Sequence, residues 1–358
     1  MTIMKIVLSG GGTGGSVVPL LAVARELEKM EKGTGFLFIG TKKGRPEKTL
    51  VRSFAMRYQG IHSGKLRRYF DWQNFFDPFK IILGFFESLS ILFRERPDVI
   101  FSAGGFVSVP VIWAGFFLGI PAVIHQQDII PSLSNKLTSL IAKKITVSFE
   151  KSLNDFNPEK AVLTGNPVRK EIISSGDKNR AIKRFNLEHS LPTILVAGGG
   201  TGSEKINRLI ISIVPDLTKF CQIVHLTGGK TSQFSSSANR YHQYEFLTEE
   251  MPDAYAAADL VVSRAGLGVL TELSALAKPA IVIPIPSSHQ EANALYFTSC
   301  GATVYLEEKS LDSQNFLAKI REVLLDKEKL GDLAYHIHLL FQADAAFKIA
   351  EIIRKIGA

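Results

Sequence analysis

The most constraining feature of the sequence is an apolar run followed by a glycine-rich turn, which occurs twice. Residues 6–15 read IVLSGGGTGG and residues 194–203 read ILVAGGGTGS. A helical pattern follows each copy, which is the order of a parallel β-strand, a tight turn and a crossover helix. The 358 residues suffice for two domains of about 150–200 residues. The repeat therefore predicts two α/β domains that open in the same way.

Short β-branched runs alternate with amphipathic helical stretches along the chain. This alternation predicts an α/β fold with doubly wound parallel sheets, covered by helices on both faces. The helix expected over 20–29 places Leu21, Ala24 and Leu27 on one face. The predicted strands are Lys5–Leu8, Gly35–Ile39, Val99–Ser102, Ala122–His125, Lys144–Val147, Thr193–Val196, Gln222–Leu226, Leu260–Ser263 and Ala280–Ile283.

The two copies of the turn also suggest where the domains divide. We expect a first domain over residues 1–164 and a second over 165–340. An amphipathic pattern from about Phe341 to Ile356 predicts a last helix, within 341–358, that returns to pack on the first domain.

Composition removes several classes of protein. Hydrophobic residues make up 46% and charged residues 21%, which excludes a disordered chain and a coiled coil. Two cysteines are too few for a disulfide framework or a cysteine zinc site and suit a reducing compartment. The net charge of +8 favours an anionic partner such as phosphate, nucleic acid or an acidic membrane, although a soluble basic protein also fits.

The stretch from Val99 to Gln127 carries no Asp, Glu, Lys or Arg and is long enough to cross a bilayer. Pro110, Pro121 and several glycines interrupt it, so we expect a buried strand, a short helix and a second strand instead. The first ten residues lead directly into a strand and turn, so we expect no export signal.

The glycine turns are suited to phosphate, because their backbone N–H groups and the following helix N-terminus attract anions. Gly10, Gly12 and Gly15 match the dinucleotide fingerprint GxGxxG. However, the acidic residue expected about 20 positions later is missing, since the second strand leads into Lys42 and Lys43. NAD is therefore disfavoured, whereas NADP, or a turn that binds nothing, stays open.

The second half carries more polar residues at expected strand ends. Arg169 follows GNPV (165–168), and an arginine there could bind a diphosphate through two parallel hydrogen bonds. The run SRAGLGVLTE (263–272) predicts a strand end, a phosphate-binding loop and a helix start, with Glu272 either on ribose hydroxyls or capping the helix. A polar loop over 284–293 is either a second part of the site or solvated surface.

Four segments together resemble the MurG family: GGTGG (11–15), SGKLRR (63–68), GNPVR (165–169) and RAGLGVLTE (264–272). These are UDP-GlcNAc:lipid I N-acetylglucosaminyltransferases of glycosyltransferase family 28, with a GT-B fold of two Rossmann-like lobes facing a cleft. The resemblance implies an N-terminal acceptor lobe, a C-terminal UDP-sugar lobe, and inverting transfer of GlcNAc to the C4 hydroxyl of the muramyl sugar, giving lipid II. It also implies no cofactor and no metal, in keeping with the lack of an Asp-x-Asp pair in the sequence.

The resemblance assigns roles at the matching positions. The first turn would face the donor sugar and diphosphate, and the second turn the α-phosphate, although the family usually has Ser then Gln there. The implied substrate-binding residues are Thr13, Gly14, Gly15, Asp128, Arg169, Gly200, Thr201, Leu247 (uracil), Leu267, Gly268, Val269, Leu270, Thr271, Glu272 (ribose), Gln290 and Asn293 (both GlcNAc hydroxyls).

The chain departs from the family where proton transfer is expected. Ser16 stands where His is usual, and a serine hydroxyl is a weak base at neutral pH. The usual His-Glu-Gln-Asn is HQQD (125–128), and Phe106 replaces a usual Tyr. Our hypothesis is that Asp128 is the general base with His125 as second candidate; the alternative is that Asp128 only caps a turn.

A basic and aromatic segment predicts contact with an anionic membrane. Nine basic residues and one acidic residue lie between Lys42 and Arg68, and aromatic residues follow. We expect Phe85 and Phe86 to lie in the core, and the alternative for the other aromatic residues is that they lie there too. No sequence motif for nucleic-acid binding accompanies the segment. The predicted membrane-facing residues are Leu66, Arg67, Arg68, Tyr69, Phe70, Trp72, Phe75 and Phe76.

The sequence thus predicts a peripheral enzyme on the cytoplasmic side of the inner membrane, acting on UDP-GlcNAc and lipid I. Other cell-wall enzymes are further candidate partners. Two alternatives stay open: a related UDP-sugar transferase with another lipid acceptor, and a catalytically weak UDP-sugar-binding scaffold.

Overall fold

The computed structural model describes residues 4–12, 14–44, 47–52, 54–64, 73–199, 202–229 and 238–358, with only the backbone at 73–76. The chain divides into two compact units, Met1–Val168 with Gln342–Ala358, and Arg169–Phe341. Each unit contains one parallel sheet.

The sheet of the first unit has the order β3-β2-β1-β4-β5-β6-β7, and that of the second has the order β10-β9-β8-β11-β12-β13. All described strand pairs are parallel. The strands are β1 (Lys5–Ser9), β2 (Gly35–Thr41), β3 (Arg57–Ile61), β4 (Val99–Ser102), β5 (Ala122–Gln126), β6 (Lys144–Val147), β7 (Ala161–Leu163), β8 (Thr193–Ala197), β9 (Gln222–Leu226), β10 (Tyr241–Tyr244), β11 (Leu260–Ser263), β12 (Ala280–Val282) and β13 (Val304–Tyr305).

Helices connect the strands and cover both faces of each sheet. Short 3₁₀ helices add Gly14–Ser16, Glu150–Asp155 and Glu308–Ser310. The α-helices are α1 (Val18–Met30), α2 (Glu47–Arg52), α3 (Gln73–Glu95), α4 (Ser108–Phe117), α5 (Leu133–Ser139), α6 (Lys170–Ser174), α7 (Lys178–Arg184), α8 (Glu204–Leu217), α9 (Met251–Ala257), α10 (Leu267–Ala275), α11 (His289–Ser299), α12 (Ser313–Leu325), α13 (Lys327–Leu339) and α14 (Ala345–Gly357).

The nine strands predicted from the sequence are all confirmed, with ends that differ by at most two residues, and all nine are interior strands. The strands that the sequence analysis missed are β3, β7, β10 and β13, which form the four sheet edges. An edge strand has a neighbour on one side only, so its sequence need not be a continuous apolar run. β10, for example, reads YHQY.

Alternating residues of the first sheet supply two separate core layers. Ile6 and Leu8 face a layer that includes α1 and the last helix, where Ile349 and Ile353 are fully buried. Val7, between them, faces a layer with residues of α3 and α4. The last helix begins at Ala345 rather than Phe341, because α13 ends at Leu339 and a turn separates the two.

The uncharged stretch from 99 to 127 forms β4, α4 and β5, as the sequence predicted. Every residue of both strands is buried. Within the described parts of the chain, no helix has the length and apolarity needed to cross a membrane.

The outer face of α3 and α4 is apolar and exposed. Placing Phe86 in the core was wrong, since 61% of this residue is exposed, whereas Phe85 is half-buried and packs edge-on against Phe117. Helical geometry explains the difference, since successive residues point in directions about 100° apart. The membrane-facing candidates Leu66, Arg67, Arg68, Tyr69, Phe70 and Trp72 lie outside the described residues, as do the side chains of Phe75 and Phe76.

Candidate active site

In both sheets the strand order reverses beside the first strand. β1 lies between β2 and β4, and β8 lies between β9 and β11. Open α/β sheets bind ligands at such reversals, because the loops that leave the two neighbouring strands diverge and open a crevice at the carboxyl edge. Each unit therefore has a candidate crevice, lined by its glycine turn and by the loop after β4 or β11.

The glycine turn of the first unit is held by a carboxylate of the protein itself. The Gly12 N–H donates to Glu47 Oε1 at 2.6 Å, and the Thr41 hydroxyl donates to the same oxygen at 3.1 Å. Glu47 is fully buried. The Gly12 N–H is thus already occupied by a side chain of the protein and is not available to a phosphate oxygen in this arrangement.

The residues after Gly12 form a short 3₁₀ helix, Gly14–Ser16. Gly14 is half-buried and Gly15 is exposed, so both backbones border the surface of the first unit. Ser16 is buried, with its hydroxyl 3.5 Å from the Gly11 carbonyl oxygen. Thr13 lies outside the described residues.

His125 is a buried structural histidine. Its Nδ1 is 2.9 Å from the Thr146 hydroxyl, and its Nε2 is 3.1 Å from Asn166 Oδ1. Burial lowers the pKa of His125 to about 4. Because none of its surface is exposed, the ring has no path to a substrate proton in this arrangement, which weakens its candidacy as a general base.

Gln126 shapes the loop that carries Asp128. Its Nε2 donates to the Asp128 carbonyl at 2.7 Å and to the Ile130 carbonyl at 3.2 Å, while its Oε1 accepts from Asn135 Nδ2 at 2.7 Å. Asp128 itself is half-exposed, just beyond the carboxyl end of β5. Ser16 and His125, the other residues that the sequence suggests for catalysis, are both buried, so among these three only Asp128 reaches the surface at a strand end.

In the second unit, Arg169, Tyr255 and Glu272 converge. Arg169 Nη2 is 3.3 Å from Glu272 Oε1, and the Tyr255 hydroxyl donates to Glu272 Oε2 at 2.9 Å. Burial raises the pKa of Glu272, opposed by the Arg169 charge and by the hydrogen bonds. The sequence analysis predicted Arg169 and Glu272 in one site. It missed Tyr255, because no motif surrounds this residue.

The start of α10 adds backbone donors beside this cluster. The helix begins at Leu267 after Gly266, an N-cap residue that has no side chain to cap the first amides. Gly268 and Val269 are half-exposed, while Leu267 and Leu270 anchor the turn in the core. Free N–H groups at a helix N-terminus favour an anion.

A buried arginine organises the rest of the crevice. Arg264 donates to the Ser203 hydroxyl at 2.7 Å and to the carbonyls of Ile283 and Pro284 at 3.0 and 3.1 Å. It also pairs with Glu308 at 2.5 Å. Ser203 caps α8, directly after the second glycine turn. Arg264 therefore connects this turn to the residues that follow β12. In the sequence, the one feature that indicates a structural role for Arg264 is its position directly after the fully buried strand β11.

The remaining expected donor-site residues differ in exposure. Leu247 and Gln290 are half-exposed, and Gln290 Oε1 accepts from the Ile285 N–H at 3.2 Å. Asn293 is fully buried and donates to the Ala265 carbonyl at 3.2 Å. It therefore supports the loop from behind, which differs from the expected contact with sugar hydroxyls. Gly200 and Thr201 lie outside the described residues, and the Thr271 hydroxyl donates to the Leu267 carbonyl at 2.8 Å.

The two parallel-sheet units have the GT-B fold, and the family models that match them are those of glycosyltransferases. The chain belongs to glycosyltransferase family 28: residues 6–147 match the model of the family's N-terminal domain and residues 193–347 that of its C-terminal domain.

Named relatives align over almost the full chain. UDP-N-acetylglucosamine--N-acetylmuramyl-(pentapeptide) pyrophosphoryl-undecaprenol N-acetylglucosamine transferase from Clostridium kluyveri is 38% identical over 363 residues, covering 98% of this chain and 99% of the relative. The transferase of the same name from Clostridium botulinum is 39% identical over 322 residues, covering 88% and 90%.

Solved structures share the fold at lower identity. MurG from Acinetobacter baumannii is 23% identical with a TM-score of 0.76, covering 98% of this chain and 99% of that one. UDP-GlcNAc 2-epimerase from Neisseria meningitidis, bound to UDP-GlcNAc, is 16% identical with a TM-score of 0.72, covering 98% and 100%.

Proposed function

We propose that this chain transfers GlcNAc from UDP-GlcNAc to the C4 hydroxyl of the muramyl sugar of lipid I, giving lipid II for peptidoglycan. The observation that carries the proposal is the convergence of Arg169 and Glu272 beside the uncapped start of α10, at the strand-order reversal of the second unit. The nearly full-length relatives with that activity in their names support the same substrates.

The second unit supplies the donor site. Arg169 and the first amides of α10 bind the diphosphate, Glu272 accepts hydrogen bonds from the ribose hydroxyls, and Gln290 contacts the GlcNAc. When the bond from the anomeric carbon to the diphosphate breaks, negative charge grows on the leaving UDP. The guanidinium and the amides stabilise that charge, so these residues can promote the transfer without a metal.

The first unit supplies the acceptor site. Asp128 accepts the proton of the C4 hydroxyl while that oxygen attacks the anomeric carbon from the face opposite UDP, which inverts the configuration. Its half-exposed place at a strand end supports this role over the buried His125.

A transfer assay tests the proposal. Radiolabelled UDP-GlcNAc should label a short-chain lipid I analogue, whereas UDP-glucose and UDP-galactose should give little product. UDP binding without any transfer would favour the scaffold alternative. Transfer to a different lipid, with the lipid I analogue unlabelled, would favour the related transferase.

The exposed apolar face of α3 and α4 supports a peripheral place on an anionic membrane. Phe79, Phe86 and Phe117 are each more than half exposed, and the predicted membrane-facing residues, from Leu66 to Phe76, come just before α3 and at its start. Rings would enter the headgroup region while lysines and arginines pair with lipid phosphates.

Co-sedimentation with liposomes measures this contact. We expect binding to vesicles containing phosphatidylglycerol to fall as salt is raised and to be weak on neutral vesicles. Phe86→Ser should weaken binding, while Phe246→Ser, at a residue of the second unit that is 51% exposed, serves as the matched control. Equal binding to neutral and anionic vesicles would contradict the electrostatic part of the proposal.

A further inference from the structure

The carboxylate of Glu272 is held by two partners of different character. Oε2 accepts from the Tyr255 hydroxyl at 2.9 Å, and Oε1 lies 3.3 Å from Arg169 Nη2. Glu272 itself is largely buried, with 14% of its side chain exposed. A buried carboxylate needs such partners to stay ionised, so the two contacts decide both its charge and its orientation.

Tyr255 is a fixed partner. It lies on α9 and is 1% exposed, among the largest fully buried side chains of the chain. An ionised carboxylate only accepts hydrogen bonds, so the tyrosine hydroxyl must be the donor. Burial, and next the neighbouring carboxylate, raise the pKa of Tyr255, so the hydroxyl keeps its proton at physiological pH.

Arg169 is an exchangeable partner. Its side chain is 32% exposed, and its 3.3 Å contact is longer than the roughly 2.7–2.9 Å of a strong charge-assisted hydrogen bond. Its Nε is buried, and none of the described residues accepts a hydrogen bond from it. A buried N–H without an acceptor costs free energy, so an incoming anion would gain by accepting from it.

We propose that Tyr255 is a positioning residue, which holds Glu272 in place for the ribose hydroxyls while Arg169 moves to the diphosphate. This inference rests on the proposed function, since it takes the donor to be a uridine diphosphate sugar. In the unliganded chain the arginine pairs with Glu272, and on donor binding the phosphates take over the guanidinium. The tyrosine hydroxyl then anchors Oε2, which leaves the other lone pairs of the carboxylate to accept from the ribose.

A comparison of two nucleotides isolates this role. Calorimetry would measure the Kd of UDP and of 2′,3′-dideoxy-UDP, which lacks both ribose hydroxyls. The parent should bind UDP about ten-fold more tightly than the dideoxy compound. In Tyr255→Phe this preference should fall to about two-fold, because the Glu272 carboxylate is no longer held in position to accept hydrogen bonds from the ribose hydroxyls. The change should come from weaker binding of UDP, with the Kd of the dideoxy compound unchanged.

Tyr241→Phe is the matched control. Tyr241 is also buried in the second unit, and its hydroxyl is 2.8 Å from His225 Nδ1, on a strand whose side chains are not in the proposed site. This variant should keep the parent ratio. Since a ratio of two ligands on the same folded protein is insensitive to a change in stability, a loss confined to Tyr255→Phe supports the inference.

The other outcomes are decisive as well. If Tyr255→Phe keeps the preference of the parent protein for UDP over the dideoxy compound, Tyr255 does not have the proposed role. The same holds if this preference falls equally in Tyr255→Phe and Tyr241→Phe. The proposed donor site is unaffected by either result. If the parent binds UDP but shows no preference over the dideoxy compound, the ribose role of Glu272 and this inference both fail. If the parent does not bind UDP at all, the proposed function fails first.

Discussion

Asp128→Asn is expected to lower kcat for GlcNAc transfer by about 10²–10⁴-fold, the range that a well-placed general base contributes. Asparagine keeps the shape of the side chain but cannot accept the proton of the acceptor hydroxyl. The Gln126 contact that shapes the loop goes to the Asp128 backbone carbonyl, so it survives the change. The transfer assay with the lipid I analogue gives kcat, and calorimetry with UDP should show unchanged donor binding.

Asp155→Asn is the control, because Asp155 is an exposed carboxylate of the same unit, in the 3₁₀ helix Glu150–Asp155. It should keep parent activity. Turnover of Asp128→Asn within a few-fold of the parent would rule out Asp128 as the base and return it to a turn-capping role.

Arg264→Met should lower the free energy of unfolding of the second unit by about 3–5 kcal/mol, the usual cost of breaking a buried ion pair from one side. Methionine keeps much of the apolar stem but leaves Glu308 without its cation, and it removes the donors for the Ser203 hydroxyl and two strand-end carbonyls. Urea unfolding followed by circular dichroism measures the loss.

Arg208→Met is the matched control for this experiment. Arg208 pairs with Glu204 on α8, but its side chain is 71% exposed, so the change should stay within about 0.5 kcal/mol. Adding Glu308→Gln to Arg264→Met should restore part of the lost stability, because no unpaired buried charge then remains. A loss no larger than that of the control would show that Arg264 does not organise the crevice.

The interior of both sheets could be predicted from the sequence because burial on both faces forces continuous apolar runs. The edges could not, since a strand such as β10 tolerates polar residues. The exposure of Phe86 could not be predicted either, because a run of aromatic residues at helical spacing does not indicate which side of the helix is covered by a neighbouring element.

The site was predictable only where a local motif marked it. Glycine turns and the segments around Arg169 and Glu272 can be found by spacing along the chain. The side chains that hold them cannot: Tyr255 stands 17 positions from Glu272, Arg169 stands 103 positions from it, and Glu47 stands 35 positions from Gly12. Such pairs form only once the sheets bring distant loops to one edge.

The carboxylate of Glu47 beside the Gly12 N–H has a consequence for the design of inhibitors. A compound that extends along the exposed backbone of Gly12 finds this N–H already bonded to Glu47, so a sulfonate or phosphonate oxygen gains no hydrogen bond from it. Phosphate-like groups are therefore better directed at the start of α10 in the second unit than at this amide.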